Sequence, residues 1–181
     1  RIVNYADDLV ICCRGSAVEA NHAMQRLMER LGLTVNTTKT RVCRVPDDSF
    51  DFLGYTIGRC YSTQTGKAYI GTRPSRKRIT RLCRAISEET AARRTQTEVR
   101  DRVERLNRML RGWANYFRLG PVSKAYRAVD AHTRYQLRWW LCRKHKVRGR
   151  GITRFSNQHL YRTLGLVRLE PLTHNLPWAN A

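Results

Sequence analysis

Ile2-Val3-Asn4-Tyr5-Ala6-Asp7-Asp8-Leu9-Val10-Ile11-Cys12-Cys13 sets two β-prone runs on either side of Ala6-Asp7-Asp8. Two short β-branched and apolar runs broken by a polar centre predict a hairpin with two carboxylates at its tip. Working outward, Ser16 and Glu19 have capping-box spacing. A helix is expected from there to about Leu31, with Ala20, Ala23, Met24, Leu27, Met28 and Leu31 as its apolar positions and Gly32 as its stop. A short strand is expected at 41–45, a turn at Pro46-Asp47-Asp48, and strands at 50–57 and 68–72, the last two joined by a polar stretch containing Gln64-Thr65-Gly66-Lys67. Hairpin, helix and further strands make a small α+β unit.

The charge is divided unevenly. The 181 residues carry 35 Lys+Arg against 14 Asp+Glu, a net of +21. Residues 1–72 hold 9 and 7 of these, residues 73–181 hold 26 and 7, so a nearly neutral module gives way to a strongly basic one near Arg73-Pro74. An excess of this size opposes compaction unless a polyanion offsets it. Nucleic acid is the leading partner, through phosphate neutralisation and counterion release. An anionic membrane surface is the competing reading. At 41% hydrophobic residues the chain can bury a core. It has no uncharged apolar run long enough for a membrane span. No leader peptide is visible, and the chain opens without Met inside a patterned segment, as part of something longer would. Cys12, Cys13, Cys43, Cys60, Cys83 and Cys142 include no CxxC pair. They are expected to be buried thiols of a reducing compartment, the cytoplasm.

In the basic half, a helix is expected at 75–92 with Ile79, Leu82, Cys83 and Ile86 on one side. A second, capped by Thr95 or Thr97, should reach about Arg118 with a stripe of Val99, Val103, Leu106, Leu110, Trp113 and Phe117. Arg100, Arg108, Arg111 and Arg118 fall on another face of it. Few acids alternate with that row, Glu104 being one, so i,i+4 pairing does not account for it and phosphate binding competes with plain solvation. A third helix at 122–144 would carry Tyr126, Val129, Leu137, Trp140 and Leu141 inward, with Arg127, Arg134, Arg138 and Arg143 supplying charge. The adjacent Trp139 and Trp140 must point in different directions, one into the core and one outward for stacking on a base or for packing. Arg143-Lys144-His145-Lys146-Val147-Arg148-Gly149-Arg150-Gly151 reads as a phosphate-seeking loop. A short helix is expected at 156–164 and an irregular end from Pro171 through 177–181.

Adjacent aspartates are most often solvated turn residues. Here apolar β-runs flank Asp7-Asp8, and crowding two like charges is costly unless a cation compensates. Hard divalent cations such as Mg²⁺ take oxygen ligands and keep waters for a phosphate substrate. A carboxylate tip beside a module that binds nucleic acid suits two-metal phosphoryl transfer.

Tyr5-Ala6-Asp7-Asp8 resembles the YxDD box of reverse transcriptases, in the form common in bacterial members and group II intron proteins. The ten residues from Leu31 to Thr40, LGLTVNTTKT, are similar to the next block of that family, and Phe50-Asp51-Phe52-Leu53-Gly54-Tyr55-Thr56-Ile57 is similar to its FxFLGY primer grip. Leu110-Arg111-Gly112-Trp113-Ala114-Asn115-Tyr116-Phe117 resembles the GWxNYF signature of the maturase region, or domain X, of group II intron proteins. No pair of CxxC motifs follows, so no zinc-containing endonuclease segment is expected in this stretch.

The resemblance implies a truncated reverse-transcriptase palm at 1–72, a helical thumb/maturase module at 73–145 and a basic extension at 146–181. It implies an RNA-directed DNA polymerase and splicing maturase. Asp7 and Asp8 would bind two Mg²⁺ ions, Tyr5 and Ala6 would lie at the nucleotide and template, and Lys39 near the departing pyrophosphate, unless it is a solvated loop lysine. Phe52, Leu53, Gly54 and Tyr55 would hold the primer end while Phe52 and Leu53 also pack the strand. Arg100, Arg108, Arg111, Arg118, Arg134, Arg138, Arg143, Lys144, Lys146, Arg148 and Arg150 would bind RNA, whereas Trp113, Tyr116 and Phe117 are expected in the core. The metal site would need a further Asp on an earlier strand, which this chain lacks. The chain alone is therefore expected not to polymerise. Its partners would be intron RNA, a template–primer duplex, dNTP and the fingers and remaining palm of the same protein, with no membrane. A noncatalytic RNA-binding splicing factor, or a diversity-generating or defence reverse transcriptase, are the rival readings.

Overall fold

The computed structural model describes residues 1–62 and 64–175. Two small antiparallel sheets and a helical body make the expected α+β architecture. Strands β1 (Ile2–Tyr5) and β2 (Asp8–Ile11) pair with Tyr5 opposite Asp8. Helix α1 (Ala17–Arg30) starts at Ser16, whose side chain accepts from the Glu19 amide at 3.3 Å. It stops where Gly32 takes a left-handed φ of +66°. None of its residues is buried; Met24 and Met28 are half-buried, and Leu27 and Leu31 lie open.

Two expectations for this half, and one for the cysteines of the whole chain, are corrected. Residues 41–45 form no strand, because the Asp48 carboxylate and amide bond the Arg44 amide and carbonyl at 3.0 and 2.7 Å, closing a turn where a ladder would have run. Residues 50–57 are two strands, β3 (Phe50–Phe52) and β4 (Tyr55–Tyr61), folded at Leu53-Gly54. Their φ angles of +50° and +83° suit the tight two-residue hairpin turn that matches strand twist. β4 then pairs along its length with β5 (Ala68–Pro74). The cysteines are all free, but only Cys60 and Cys142 are buried; Cys12 and Cys13 are exposed on the hairpin's far end.

Helix α2 (Arg76–Glu89) is capped by Ser75, α3 spans Val99–Tyr116 and α4 spans Ser123–Lys144. Neither Thr95 nor Thr97 caps α3. The Thr97 hydroxyl instead accepts from Arg102 at 2.8 Å, and Glu98 stands at the helix start without a side-chain bond. The 4-3 stripe packs as its spacing requires: Val103, Leu106 and Leu110 are buried in one cluster with Ile86 of α2 and Val129, Leu137, Trp140 and Leu141 of α4, and Phe117 is buried against Tyr55 and Trp113. Each such side chain taken from water contributes about 1.5–3 kcal/mol. The same core continues past residue 145 through Phe155, Leu160, Leu166 and Leu169. A single π turn at His159–Thr163 lies within the expected short helix. The expected irregular end is helical at Glu170–Asn175, while 176–181 lie outside the described residues. Asp130 explains why the chain returns here: its buried carboxylate accepts the Leu169 amide at 3.0 Å and the Glu170 amide at 2.9 Å.

A buried charge network closes α2 on α3. The Glu89 carboxylate binds Arg102, whose side chain is as enclosed as its own, and also Arg94 at 3.2 Å and Arg105 at 3.0 Å. Burial lowers the Arg102 pKa, and Glu89 opposes that shift.

Candidate nucleic-acid interface

Four segments far apart in sequence meet at one groove of about 530 Å³. The β1–β2 turn supplies Ala6, Asp7 and Asp8, and the β3–β4 turn supplies Leu53 and Gly54 beside Asp51. The start of α2 supplies Ser75, Lys77 and Arg78, and the end of α3 supplies Tyr116. With Tyr5 facing Asp8 across the ladder, only Ala6 and Asp7 remain to make the turn, and Ala6 adopts φ +48°. A left-handed non-glycine residue costs roughly 1–2 kcal/mol. That conformation presents Asp7 and Asp8, both exposed, to the groove.

The aromatic positions hold the floor. The Tyr55 hydroxyl donates to the Tyr116 carbonyl at 2.5 Å and the Tyr116 hydroxyl donates to the Leu53 carbonyl at 2.8 Å. Tyr55 packs on Phe117 with centroids 5.1 Å apart. Gly54 admits this closeness, since a Cβ there would lie 2.9 Å from Arg78 Nε and 3.2 Å from Phe117. Trp113 and Phe117 turn inward, as expected, but Tyr116 is 55% exposed and lines the groove. One residue of helix is a rotation of about 100°, which takes Tyr116 off the face that Phe117 occupies.

The donor set is of the hard-oxygen kind that Mg²⁺ prefers. Asp51 stands on the same groove wall, although the sequence places it with a downstream turn, and one of its oxygens accepts from Thr56 at 2.6 Å. Among the described residues no group of three or more His, Cys, Asp or Glu side chains is gathered tightly enough to hold a metal. Lys39 lies in the adjoining cleft of about 820 Å³, which Asp7 and Asp8 also line. Asn36 organises its loop, its side-chain oxygen accepting from Thr38 at 2.7 Å and from the Lys39 amide at 3.2 Å.

The cations that line the groove with the carboxylates are Lys77 and Arg78, which the sequence reading did not select. A signal was available. The first turn of α2 reads Arg76-Lys77-Arg78 with no acid, three positive charges at the positive end of a helix dipole. Among the described residues none of the three makes an ion pair. An arrangement that opposes its own helix suits an anion brought from outside.

Arg100, Arg108 and Arg111 are exposed along α3, Arg100 pairing with Glu104 at 3.1 Å; Arg118, expected on the same helix, is exposed just past its end, and none of the four lines the groove. Arg143, Lys146, Arg148 and Arg150 are exposed at and beyond the end of α4. Three of the other selected cations are committed within the fold. Arg134 donates to the Tyr161 hydroxyl at 3.1 Å. Arg138 donates to the Phe155 carbonyl and to Asn157, both at 2.8 Å. Lys144 donates to the Thr95 and Thr97 carbonyls at 3.1 and 3.0 Å. Trp140 is the buried member of its pair, its indole donating to the Arg94 carbonyl at 3.2 Å, while Trp139 stays part-exposed. Among the described residues no helix is long and apolar enough to cross a membrane.

No curated protein matches the chain. The family model described as "Group II intron, maturase-specific domain" matches residues 79–156.

Proposed function

We infer, from a chain whose residues 79–156 match the family model of the group II intron maturase-specific domain, that it is the C-terminal part of a reverse transcriptase that also assists splicing by binding intron RNA. The observation that supports the polymerase half of this reading is the meeting of the Asp7-Asp8 tip, the Leu53-Gly54 turn and Tyr116 of the maturase helix in one groove. An RNA template–DNA primer duplex would lie along that groove, its phosphates drawn to Lys77 and Arg78. Asp7 and Asp8 would hold Mg²⁺, completed by a carboxylate of the remaining palm; the bound ions would stabilise the charge on the entering and leaving oxygens as a nucleotide joins the primer. Tyr5 and Ala6 border the position of the incoming dNTP, and Lys39 the side from which pyrophosphate departs. The exposed arginines of α3 are left for intron RNA, since none of them lines the groove. Such an RNA-bound protein would work in the cytoplasm.

Primer extension and splicing assays on the full-length protein test this. Asp7→Asn should abolish extension and leave splicing intact. If the unaltered protein and Asp7→Asn extend equally poorly while both promote splicing, the polymerase reading fails and a noncatalytic splicing factor stands.

A further inference from the structure

The face of α4 opposite its core carries Ala131, Tyr135, Trp139 and Arg143, at helical spacings that stack them along one line. Tyr135 is 55% exposed and meets Trp139 edge-on at 6.1 Å between centroids. The Arg143 guanidinium lies over the Trp139 ring at 5.7 Å. The core explains neither aromatic, because Tyr126, Val129, Leu137, Trp140 and Leu141 already fill the inward side. The only acid of α4, Asp130, is buried and spends its oxygens on the amides of Leu169 and Glu170, so the helix itself brings no negative charge to this face. It runs instead into the exposed Lys146, Arg148 and Arg150.

We propose that Tyr135 and Trp139 are a stacking platform for an unpaired nucleobase of RNA, with Arg143 taking the phosphate beside it. Aromatic faces bind any base by stacking and adjacent guanidinium groups bind the backbone, a combination that selects single strands and loops over duplex. The charge of the face argues for this occupant, since an aromatic patch to which α4 adds no exposed acid, and which continues into Arg143, Lys146, Arg148 and Arg150, repels another copy of the same basic chain. The inference rests on the RNA-binding reading above and names where on the maturase module a single-stranded segment would sit.

The test compares a labelled uridine homopolymer, which stays unpaired, with a blunt RNA duplex, using the full 181-residue chain. Trp139→Ala should weaken binding of the homopolymer by about 5- to 100-fold, the worth of one stacked base, and leave duplex affinity within about twofold. Tyr135→Ala should act in the same direction and Trp139→Phe should restore most of the loss. The two milder variants keep the test decisive should Trp139→Ala fold poorly by circular dichroism. Equal losses for both RNAs, or no loss for either, overturn the platform while leaving RNA binding intact. Sedimentation showing a dimer that Trp139→Ala dissolves, at unchanged RNA affinity, assigns the face to a second copy and also overturns it. Unaltered protein that binds neither RNA defeats the maturase reading itself.

Discussion

Tyr116, near the end of a helix in the basic half, donates its hydroxyl to the backbone carbonyl of Leu53 at 2.8 Å, at the tip of a hairpin in the neutral half. Its own carbonyl is taken by Tyr55 at 2.5 Å, so the two modules are stitched by a reciprocal pair of tyrosines. Tyr55→Phe should cost about 1 kcal/mol, a typical net hydrogen bond, and the more exposed Tyr116→Phe somewhat less. Amide exchange at Gly54 and Tyr55 should quicken in both. Unchanged exchange there would mean that the hairpin tip is held by other contacts.

Gly120 makes the second point of closure. It has φ +71°, and a Cβ on it would lie 2.0 Å from the Thr72 carbonyl oxygen of β5, a backbone atom with little room to retreat. Gly120→Ala is expected to destabilise by about 2–4 kcal/mol in denaturant unfolding. Gly112 is the control: within α3 and with nothing within 4 Å of a Cβ, its replacement by Ala should stabilise by about 0.5–1 kcal/mol.

Glu89 neutralises Arg102 in a buried setting. Glu89→Gln leaves the enclosed guanidinium without its counter-charge and should cost about 3 kcal/mol or more, seen as a large fall in the unfolding midpoint. A loss below about 1 kcal/mol, the usual worth of a surface pair, would show that water reaches the site.

The Asp130 carboxyl has its pKa raised by burial, its backbone donors opposing the shift only in part. The folded form therefore binds the proton more tightly than the unfolded chain does. This group's contribution to stability is greatest below the ordinary carboxyl pKa of 3.8 and declines as pH rises through the higher folded value. Asp130→Asn removes that decline. The difference in melting temperature between the unaltered protein and the variant should thus shift in the variant's favour as pH rises from about 4 toward neutrality. A difference that does not change with pH would contradict the shift.

Replacing Arg100, Arg108 and Arg111 by Gln tests the outer face of α3. The slope of log affinity for RNA against log salt should fall by about one for each phosphate left without its arginine. Primer extension by the full-length protein should change less than RNA affinity, because these side chains do not line the carboxylate groove. A salt slope unmoved by the triple replacement would assign the row to solvent.

Periodicity, caps and turn chemistry were legible along the chain because they depend on neighbours a few residues apart. The Asp-bearing hairpin, the Ser16 cap and the buried stripe of α3 all follow from such spacings. The orientation of charge did not. The α3 arginines share a face in sequence, yet it is Lys77 and Arg78 that line the groove with Asp7 and Asp8, because groove membership depends on how β4–β5 seats against α3 through Tyr55 and Phe117. Likewise only the packed core tells Trp140 from Trp139, and only the returning segment at Leu169 turns Asp130 from a surface acid into a buried one. Local sequence determines which elements form and which residue types they carry; long-range packing, which no local spacing encodes, decides which side chains face one another.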